Sequence, residues 1–428
     1  MKKTIKTCSN QTFLVKGPAK IRIIEGEISV LGNTLGREES IVIARGKALP
    51  IQTVSEATLE VNMDNEEAIE PLSTPFPKEW KSVANIFNKL EAPAIIPILG
   101  DVDTGKTSLT TLLANTAFKK GFKVAIVDAD VGQSSIGQPC FISMGVMEKT
   151  VSKLSEIKVK GAYFIGSNTP YRVMHRTVAG MEAMVKKALN SSAEIVLVDT
   201  SGWVYGRGAR ELKTAVILML QPRILIALQR KNEIEHLLAP FENSSIRIIR
   251  LPAPETYKRS RENRKFLREI LYRKSLEGGR EITLGFEQIG LRYTLLGSGS
   301  QPDPEKIQEI KQVLGCSPVY AEESPDLLYV ILPDEEVEMT RETTKYLEKR
   351  LRKLEVYIAQ KKDFENLLVA FQDQNNEHSG IGIIKRVDFK NRKITFYTST
   401  KKEKIKFVQF GLLKVSEEGE ELGHTRIL

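Results

Sequence analysis

A glycine-rich segment with a lysine and a hydroxyl residue gives the clearest indication of chemistry in this 428-residue chain. Gly100, Gly105, Lys106 and Thr107 satisfy the pattern GxxxxGK[ST], with an apolar strand-like run before it and a helix-like run after it. Glycines let a backbone fold around an anion with its N–H groups pointing inward, and the helix N-terminus adds a positive dipole end. The pattern predicts a loop that binds a nucleotide triphosphate, with Lys106 on the β- and γ-phosphates and the Thr107 hydroxyl on Mg²⁺.

Phosphate loops of this kind occur in GTPases, motor ATPases, partition ATPases and kinases, so the loop alone does not identify the reaction. A GTPase should carry an NKxD motif downstream of the loop, but the nearest match, at 88–91, lies upstream and ends in Glu. Partition ATPases carry an extra lysine just after the first glycine, where this chain has Asp101. An ATP-using protein of another kind is therefore favoured. The residues expected to contact ATP are Gly100, Asp101, Val102, Asp103, Thr104, Gly105, Lys106, Thr107 and Ser108.

Two further apolar runs end in acidic residues. Asp128 and Asp130 follow one run, and Asp199 ends another. Carboxylates at strand ends can hold Mg²⁺ directly or through water, and one of them can accept a proton from an incoming hydroxyl. We expect Thr107, Asp128 and Asp130 to hold the metal, although the sequence does not rank Asp199 against Asp128. Gln133 could orient the γ-phosphate or the water shell of the metal; the alternative is a solvated acidic turn.

Two later features could contact nucleic acid or phosphate. Trp203 lies in a glycine-flanked turn, where it could stack on a base or fill the core. An arginine-rich segment follows, and its apolar residues recur at helical spacing, which predicts that they face the core. These residues are Phe266, Leu267, Ile270 and Leu271. The outer face would then carry Arg261, Arg264, Lys265, Arg268 and Arg273, either as a solvated basic helix or as arginines that close over a transferring phosphoryl group.

Three regions that differ in their pattern of apolar and polar residues must position these side chains. Residues 11–62 alternate short β-branched runs with Gly and Pro turns, which is typical of strands. Apolar strands alternate with helical segments from about 77 to 285, which predicts a parallel sheet. A polar-rich helical stretch over 340–371 and short strands over 380–415 follow. We predict an α/β fold with a central P-loop NTPase domain and parallel sheet (73–285), flanked by smaller β-rich domains (1–72 and 286–428).

The composition limits the class of protein. The chain has 63 basic and 54 acidic residues, a net charge of +9, which favours a polyanionic partner only if the basic residues cluster. Its three cysteines form no CxxC pair, so neither a zinc site nor a disulfide framework is indicated. No apolar run approaches the ~20 residues of a membrane span, and the basic N-terminus lacks the apolar segment of a signal peptide. We expect a cytoplasmic protein with no membrane partner.

Five motifs in a fixed order resemble those of the polynucleotide 5′-hydroxyl kinases. They are GDVDTGKTS, DADVGQ, TPYR (169–172), DTSGWVYG and YKRSRENR (257–264). That family includes the kinase subunit of the eukaryotic pre-mRNA cleavage machinery, nucleolar rRNA-processing kinases and archaeal RNA kinases, and this chain looks like the archaeal type. The resemblance covers most of the chain. It implies transfer of the γ-phosphate of ATP to the 5′-OH end of RNA, and also of single-stranded DNA, with Mg²⁺ or another divalent cation; it names no protein partner.

The resemblance also implies roles for individual residues. Asp130 would act as the base on the substrate hydroxyl, and the lid arginines best match Arg259 and Arg264, with Arg261 and Arg268 as competitors. Eukaryotic relatives can carry an uncharged residue in place of Asp199, which leaves its catalytic role open. The implied catalytic residues are Lys106, Asp130, Arg259 and Arg264. The implied nucleic-acid contacts are Gln133, the Thr169–Pro170 clasp with Arg172 as its polar arm, and Trp203 as a stacking residue.

Two other functions stay open. The chain could be a non-catalytic ATP-binding scaffold of an RNA-processing complex, although the presence of every catalytic position argues against this. It could also be a partition- or carrier-type ATPase, which would dimerise on binding nucleotide; Asp101, in place of the extra lysine, weighs against that class.

Overall fold

A computed structural model describes residues 1–254, 259–334 and 341–425. Contacts within the chain group it into a first unit, Met1–Arg268, and a second unit, Glu269–Leu428. The sequence-based division into three domains at 72 and 285 stays a prediction.

The first unit begins with short strands in which apolar and polar residues alternate. In the third strand, for example, Ile21 and Ile23 are buried while Lys20 and Arg22 are exposed, as expected when one face of a sheet covers a core. The strands are β1 (Lys2–Thr7), β2 (Thr12–Lys16), β3 (Ala19–Glu25), β4 (Ile28–Val30), β5 (Asn33–Leu35), β6 (Ser40–Ile43), β7 (Ala48–Thr53), β8 (Ala57–Met63) and β9 (Ile69–Leu72). They form two sheets, ordered β1-β8-β3-β6 and β5-β4-β7-β2-β9. The predicted β-rich N-terminal region is confirmed.

Strands and helices then alternate, as the sequence predicts. The elements are α1 (Lys78–Val83), β10 (Ala94–Gly100), α2 (Lys106–Lys119), β11 (Val124–Ala129), β12 (Phe141–Val146), β13 (Gly161–Phe164), α3 (Met174–Asn190), β14 (Ile195–Thr200), α4 (Arg207–Leu220), β15 (Ile224–Gln229), α5 (Glu235–Leu238), β16 (Arg247–Pro252) and α6 (Arg261–Leu276). Their sheet has the order β13-β12-β11-β14-β10-β15-β16. It is parallel apart from β12, which runs antiparallel to both of its neighbours and which the sequence analysis misses.

The register of the parallel strands sets where the functional loops lie. Asp128 on β11 pairs with Asp199 on β14, and Ile98 on β10 pairs with Asp199 from the other side. Because parallel strands end at the same edge, the loops that follow β10, β11 and β14 meet there, which is where open α/β sheets bind ligands. The sheet therefore brings together three segments that are far apart in sequence.

The second unit contains two sheets. Its elements are β17 (Arg280–Gly285), β18 (Gly290–Arg292), α7 (Pro304–Leu314), β19 (Tyr320–Glu323), β20 (Leu327–Leu332), α8 (Arg341–Arg350), β21 (Glu355–Gln360), β22 (Leu367–Gln372), β23 (His378–Asp388), β24 (Lys393–Thr398), β25 (Phe407–Val415) and β26 (Glu421–His424). The sheet orders are β17-β24-β23-β22-β25-β18, with β26 on β25, and β19-β20-β21. No helix in the described parts of the chain has the length and apolar content needed to cross a membrane.

The prediction of one helical stretch over 340–371 is wrong. Helix α8 ends at Arg350, and β21 and β22 follow it; Thr340 lies outside the described residues. Strand β21 pairs in parallel with β20, and β22 is buried along nearly its whole length between β23 and β25. The many charged residues favour a helix locally, but strand pairing in the folded unit determines the outcome.

Candidate active site

The two motif glycines are required by the geometry of the loop between β10 and α2. A Cβ atom on Gly100 would lie 2.6 Å from the Leu228 carbonyl oxygen and 2.7 Å from the Thr104 hydroxyl, closer than atoms can approach. Gly105 has a φ of +92°, in the left-handed region that favours glycine, and it immediately precedes α2. The sequence pattern GxxxxGK[ST] thus corresponds to a tight strand–loop–helix turn at the C-terminal end of β10.

The loop is held together by bonds to one carbonyl group. The Thr104 hydroxyl donates to the Asp101 carbonyl oxygen at 2.8 Å, and Lys106 Nζ donates to the same oxygen at 2.6 Å. Lys106 is buried, and its burial lowers the pKa of the ammonium group, while the nearby carboxylates of Asp199 and Asp130 oppose that shift. The Lys106 ammonium group is therefore placed against the loop in which phosphates would bind.

Thr107 and Asp199 form a donor set that fits Mg²⁺. The Thr107 hydroxyl donates to Asp199 Oδ2 at 2.6 Å. Asp199 is only 2% exposed, and its other oxygen, Oδ1, is buried with no hydrogen-bond partner among the residues that the structure describes. A buried carboxylate oxygen left without a partner needs an explanation, and a missing cation supplies one. Mg²⁺ is usually held by one or two carboxylates together with substrate phosphates, so this pair fits the metal without further protein ligands.

Asp128 is used differently, because the backbone that follows it occupies its oxygens. Its Oδ2 accepts N–H bonds from Ser135 at 2.5 Å and Ile136 at 2.8 Å, and its Oδ1 accepts one from Asp130 at 3.1 Å. Burial and the charge of Asp199 raise the pKa of Asp128. Asp128 thereby fixes the loop that carries Asp130, and the free oxygen of Asp199 makes Asp199 the better candidate for a metal ligand.

Asp130 lies at the end of β11. One of its carboxylate oxygens accepts backbone hydrogen bonds, and the other is available to a ligand. Oδ1 accepts N–H bonds from Gly132 at 3.1 Å and Gln133 at 3.0 Å. Within the described ranges Oδ2 takes no hydrogen bond, so it can accept one from a substrate hydroxyl. A Cβ atom on Gly132 would lie 2.7 Å from the Asn168 carbonyl oxygen, which shows how closely this loop abuts the TPYR segment.

Arginines of the predicted lid reach both loops. Arg259 donates through its backbone N–H to Asp103 Oδ2 at 3.3 Å and through Nη1 to Gln133 Oε1 at 3.1 Å. Arg264 pairs with the same Asp103 carboxylate oxygen at 2.6 Å, and Arg268 Nη1 donates to the Gly132 carbonyl at 3.4 Å. Three of the four competing arginines therefore contact the site, and Arg261 is exposed. Tyr257 and Lys258, the first residues of the lid motif, lie outside the described residues.

The predicted orientation of α6 is wrong in part. Phe266 and Ile270, expected in the core, are each 42% exposed, whereas Arg264 and Arg268, expected on the outer face, are half-buried. The two arginines lie one helical turn apart and so share a face. That face turns inward because the Asp103 carboxylate and the Gly132 carbonyl accept their hydrogen bonds.

The acceptor side contains Trp203 and the TPYR segment. A Cβ atom on Gly208, in the first turn of α4, would lie 2.9 Å from the indole ring, so that turn supports Trp203 closely. Trp203 remains partly exposed, and Tyr171 meets its ring edge-on with centroids 6.1 Å apart. Within the segment Thr169 and Arg172 are exposed, and Pro170 is buried. A partly exposed indole with a supported underside can stack on a base, whereas a core residue would be covered.

Sequence reasoning missed several residues that surround the site. Lys213 on α4 is 3% exposed, donates to the Ser201 carbonyl at 2.7 Å, and has its pKa lowered to about 7 by burial. The sequence feature that could have identified Lys213 is its position within the apolar stripe of an amphipathic helix. Arg230 Nη2 donates to the Asp103 carbonyl at 2.6 Å, and the Tyr205 hydroxyl donates to Asp101 Oδ2 at 3.3 Å. Burial lowers the pKa of Lys47 to about 8; the charge of Arg259 adds to this shift and that of Asp128 opposes it.

The buried Asp199 carboxyl predicts a pH-dependent stability. Burial raises its pKa from 3.8 to about 6 in the folded protein. As pH rises, the unfolded chain therefore loses this proton before the folded protein does. The free energy of unfolding that Asp199 contributes below about pH 4 is lost as pH rises through 6. We expect Asp199→Asn, which keeps an oxygen for Thr107, to raise the free energy of unfolding of the ligand-free protein by about 1–3 kcal/mol at about pH 8, and by clearly less at about pH 4.5. Urea unfolding at both pH values measures this, and an equal effect at both would contradict it.

Comparison with known proteins identifies the family. The P-loop model of the mRNA cleavage and polyadenylation factor CLP1 matches residues 100–278. The chain is 34% identical over 355 residues to a polyribonucleotide 5′-hydroxyl-kinase of Methanocaldococcus jannaschii, across 82% of this chain and 95% of that protein. This chain belongs to the polyribonucleotide 5′-hydroxyl-kinase family. A Pyrococcus furiosus polyribonucleotide 5′-hydroxyl-kinase is 32% identical over 338 residues, across 78% of this chain and 91% of the relative.

A solved structure supports the fold of this family member. A chain of the wild-type Clp1p–Pcf11p complex matches with a TM-score of 0.65 at 14% identity, over 97% of this chain and 98% of that chain. The predicted α/β fold with a P-loop NTPase sheet is confirmed, and so are the predicted family and the class of enzyme, a kinase.

Proposed function

We propose that this kinase transfers the γ-phosphate of ATP to the 5′-hydroxyl end of RNA, and also of single-stranded DNA. The observation that carries the proposal is Arg259, which bonds at once to Asp103 in the phosphate loop and to Gln133 beside Asp130. The donor loop and the loop that carries Asp130 are therefore both bonded to one residue, Arg259, through its backbone N–H and its guanidinium respectively. The named activity of the archaeal relatives agrees with this arrangement.

On the donor side, Lys106 and the backbone N–H groups of 100–108 would bind the triphosphate of ATP. The ammonium group now bonded to the Asp101 carbonyl would turn to the β- and γ-phosphates, which are stronger acceptors because they are charged. We propose Mg²⁺ as the cation. The Thr107 hydroxyl and Asp199 Oδ1 would hold it, and it would neutralise charge on the β- and γ-phosphate oxygens. Roles of Asp128 and Asp130 as metal ligands stay predictions.

On the acceptor side, Asp130 Oδ2 would accept the proton of the 5′-hydroxyl. The bond between the 5′-oxygen and the γ-phosphorus forms as the bond from that phosphorus to the β,γ-bridging oxygen breaks, and ADP leaves with the bridging oxygen. The transfer is direct and in line, with no covalent enzyme intermediate. Thr169, Pro170, Arg172 and Trp203 would hold the terminal nucleotide, with Gln133 beside the γ-phosphate.

Arg259 and Arg264 would stabilise the charge that develops on the transferring phosphoryl group. In the ligand-free protein the Arg264 guanidinium bonds to the Asp103 carboxylate. Arg259 bonds to the same carboxylate through its backbone N–H, and its guanidinium donates to Gln133 Oε1. Arginines that contact a transferring phosphoryl group are worth ~10³–10⁵ in rate where they have been measured. Binding of ATP would offer γ-phosphate oxygens to the Arg264 guanidinium in place of the Asp103 carboxylate, and to the Arg259 guanidinium in place of the Gln133 amide oxygen.

The function is tested with γ-labelled ATP and three oligonucleotides of one sequence. We expect label to appear on 5′-OH RNA and on 5′-OH single-stranded DNA, and none on the same RNA with a 5′-phosphate. ADP should form in step with the label. Bound ATP without any ADP production on 5′-OH RNA would contradict the proposal and favour a non-catalytic scaffold. A cytoplasmic location stays a prediction.

The proposed metal site makes a separate prediction. Thr107→Val removes the hydroxyl but keeps the side-chain volume, so the Mg²⁺ concentration for half-maximal activity should rise by ~10-fold or more. Thr116→Val is the matched control, because Thr116 lies on the same helix and its hydroxyl donates to the Leu112 carbonyl of that helix. A titration of Mg²⁺ at saturating RNA measures the effect. An unchanged Mg²⁺ requirement in Thr107→Val would contradict the assignment.

A further inference from the structure

Tyr171 is a large aromatic side chain that the proposed mechanism does not use. It is 64% exposed, although both Pro170 before it and Val173 after it are buried. The short turn that carries it is tied down, because the Val173 N–H donates to the Pro170 carbonyl at 3.0 Å. The Thr169 N–H also donates to the buried Ser167 hydroxyl at 3.2 Å. An exposed ring on an ordered turn keeps a face available for a ligand.

The position of this ring relative to Trp203 indicates what the ligand is. The two ring centroids are 6.1 Å apart, and the planes meet at 80°. Trp203 packs against the first turn of α4, where Gly208 leaves room for the indole. The pair therefore forms two adjoining aromatic surfaces at nearly a right angle. One of these surfaces is the residue to which the proposed function assigns the terminal base.

From this geometry we propose that Tyr171 binds the base of the second nucleotide of the acceptor, while Trp203 binds the first. The proposal rests on the function proposed above. Aromatic side chains stack on bases without regard to their identity, because every base has a π-face, so the site takes any nucleobase. Arg172, next in the chain, is exposed, so its guanidinium would be available to the phosphate that joins the two nucleotides.

The right angle between the rings has a consequence for the substrate. Two bases stacked on each other lie parallel, and they cannot also lie flat on two surfaces that meet at 80°. The first two bases must therefore be unstacked when they bind, which single-stranded ends permit at low cost and duplex ends do not. Tyr171 thus makes the enzyme selective for single-stranded 5′ ends.

The test compares kcat/KM for four 5′-OH acceptors in wild-type enzyme and in Tyr171→Ala. The acceptors are a nucleoside 3′-monophosphate, a single-stranded oligoribonucleotide, the same oligonucleotide without a base at its second position, and a blunt duplex. For the intact single strand, Tyr171→Ala should lower kcat/KM by roughly 5- to 100-fold, the range expected for losing one stacked base. The monophosphate and the strand without the second base should be affected less than about 2-fold, because they have nothing to stack there. The blunt duplex should also be affected less than about 2-fold, because its second base stays stacked in the duplex.

Two further variants separate stacking from a structural role. Tyr171→Phe keeps the ring and should retain near wild-type kcat/KM on the single strand. Tyr346→Ala removes an equally exposed tyrosine from α8, in the second unit, and should have no effect. Equal losses on all four acceptors, or no loss on the intact strand, would overturn the role of Tyr171. A wild-type enzyme that phosphorylates no 5′-OH acceptor would instead overturn the proposed function, so the two failures are distinguishable.

Discussion

Asp130→Asn should lower kcat for phosphorylation of a 5′-OH oligoribonucleotide by ~10²–10⁴-fold, the usual contribution of a positioned general base. The amide keeps an oxygen for the N–H groups of Gly132 and Gln133, so the loop after β11 should keep its shape. What it loses is an oxygen that can take the proton of the 5′-hydroxyl. Single-turnover transfer from γ-labelled ATP measures the chemical step directly.

Binding of ATP separates this effect from a damaged site. The Kd for ATP should change by less than about 3-fold in Asp130→Asn, because the triphosphate is assigned to the loop between β10 and α2. Asp64→Asn, an exposed turn residue in the N-terminal sheets, serves as the control with unchanged rate. A transfer rate in Asp130→Asn within a few-fold of wild type would show that another group accepts the proton.

Lys106→Ala should weaken ATP binding and slow transfer, with a combined loss in kcat/KM for ATP of ~100-fold or more. Hydrogen bonds to charged groups are worth about 1.5–3 kcal/mol each, and a lysine on two phosphates makes more than one. The change also removes a buried amino group whose pKa is lowered by burial, a shift that the charges of Asp199 and Asp130 oppose. The loss of stabilisation should be largest in the transition state, in which phosphate charge shifts toward the leaving oxygen.

Titration of ATP with fixed RNA, and of RNA with fixed ATP, measures both losses. Lys119→Ala is a matched control, because Lys119 is an exposed lysine at the other end of the same helix. If Lys106→Ala kept a near wild-type kcat/KM for ATP while Lys119→Ala did so too, the phosphate loop would not be the donor site. Loss of activity in both variants would point to the helix and not to the charge.

The parts of the site that sequence reasoning predicted depend on short-range geometry. Only glycine fits at Gly100, where the Leu228 carbonyl approaches, and at Gly105, where φ is positive. These steric requirements can be recognised in the sequence, because they allow only one residue type at each position. The same holds for strand-end acids: Asp128 and Asp199 follow apolar runs, and a parallel sheet then places them side by side.

Other features depended on partners distant in the sequence. The charged stretch over 340–371 has the composition of a helix, but β21 and β22 form because β20, β23 and β25 offer open edges. The prediction of which face of α6 turns inward was partly wrong, because hydrophobic spacing alone placed Arg264 and Arg268 on the outer face. Asp103, in a loop more than 150 residues earlier, accepts the hydrogen bond from Arg264 at a sequence separation of 161.

The sequence by itself determined that a phosphate loop follows β10, that acids stand at the ends of β11 and β14, and that their motif order is that of a polynucleotide kinase. These properties reside in residue type and spacing along the chain. Only the tertiary structure decided which acid keeps a free oxygen beside Thr107, and that a lysine on α4 is buried near them. The physical reason is that hydrogen-bond partners and burial are properties of the folded surroundings, to which Ser135 and Ile136 contribute for Asp128 but not for Asp199.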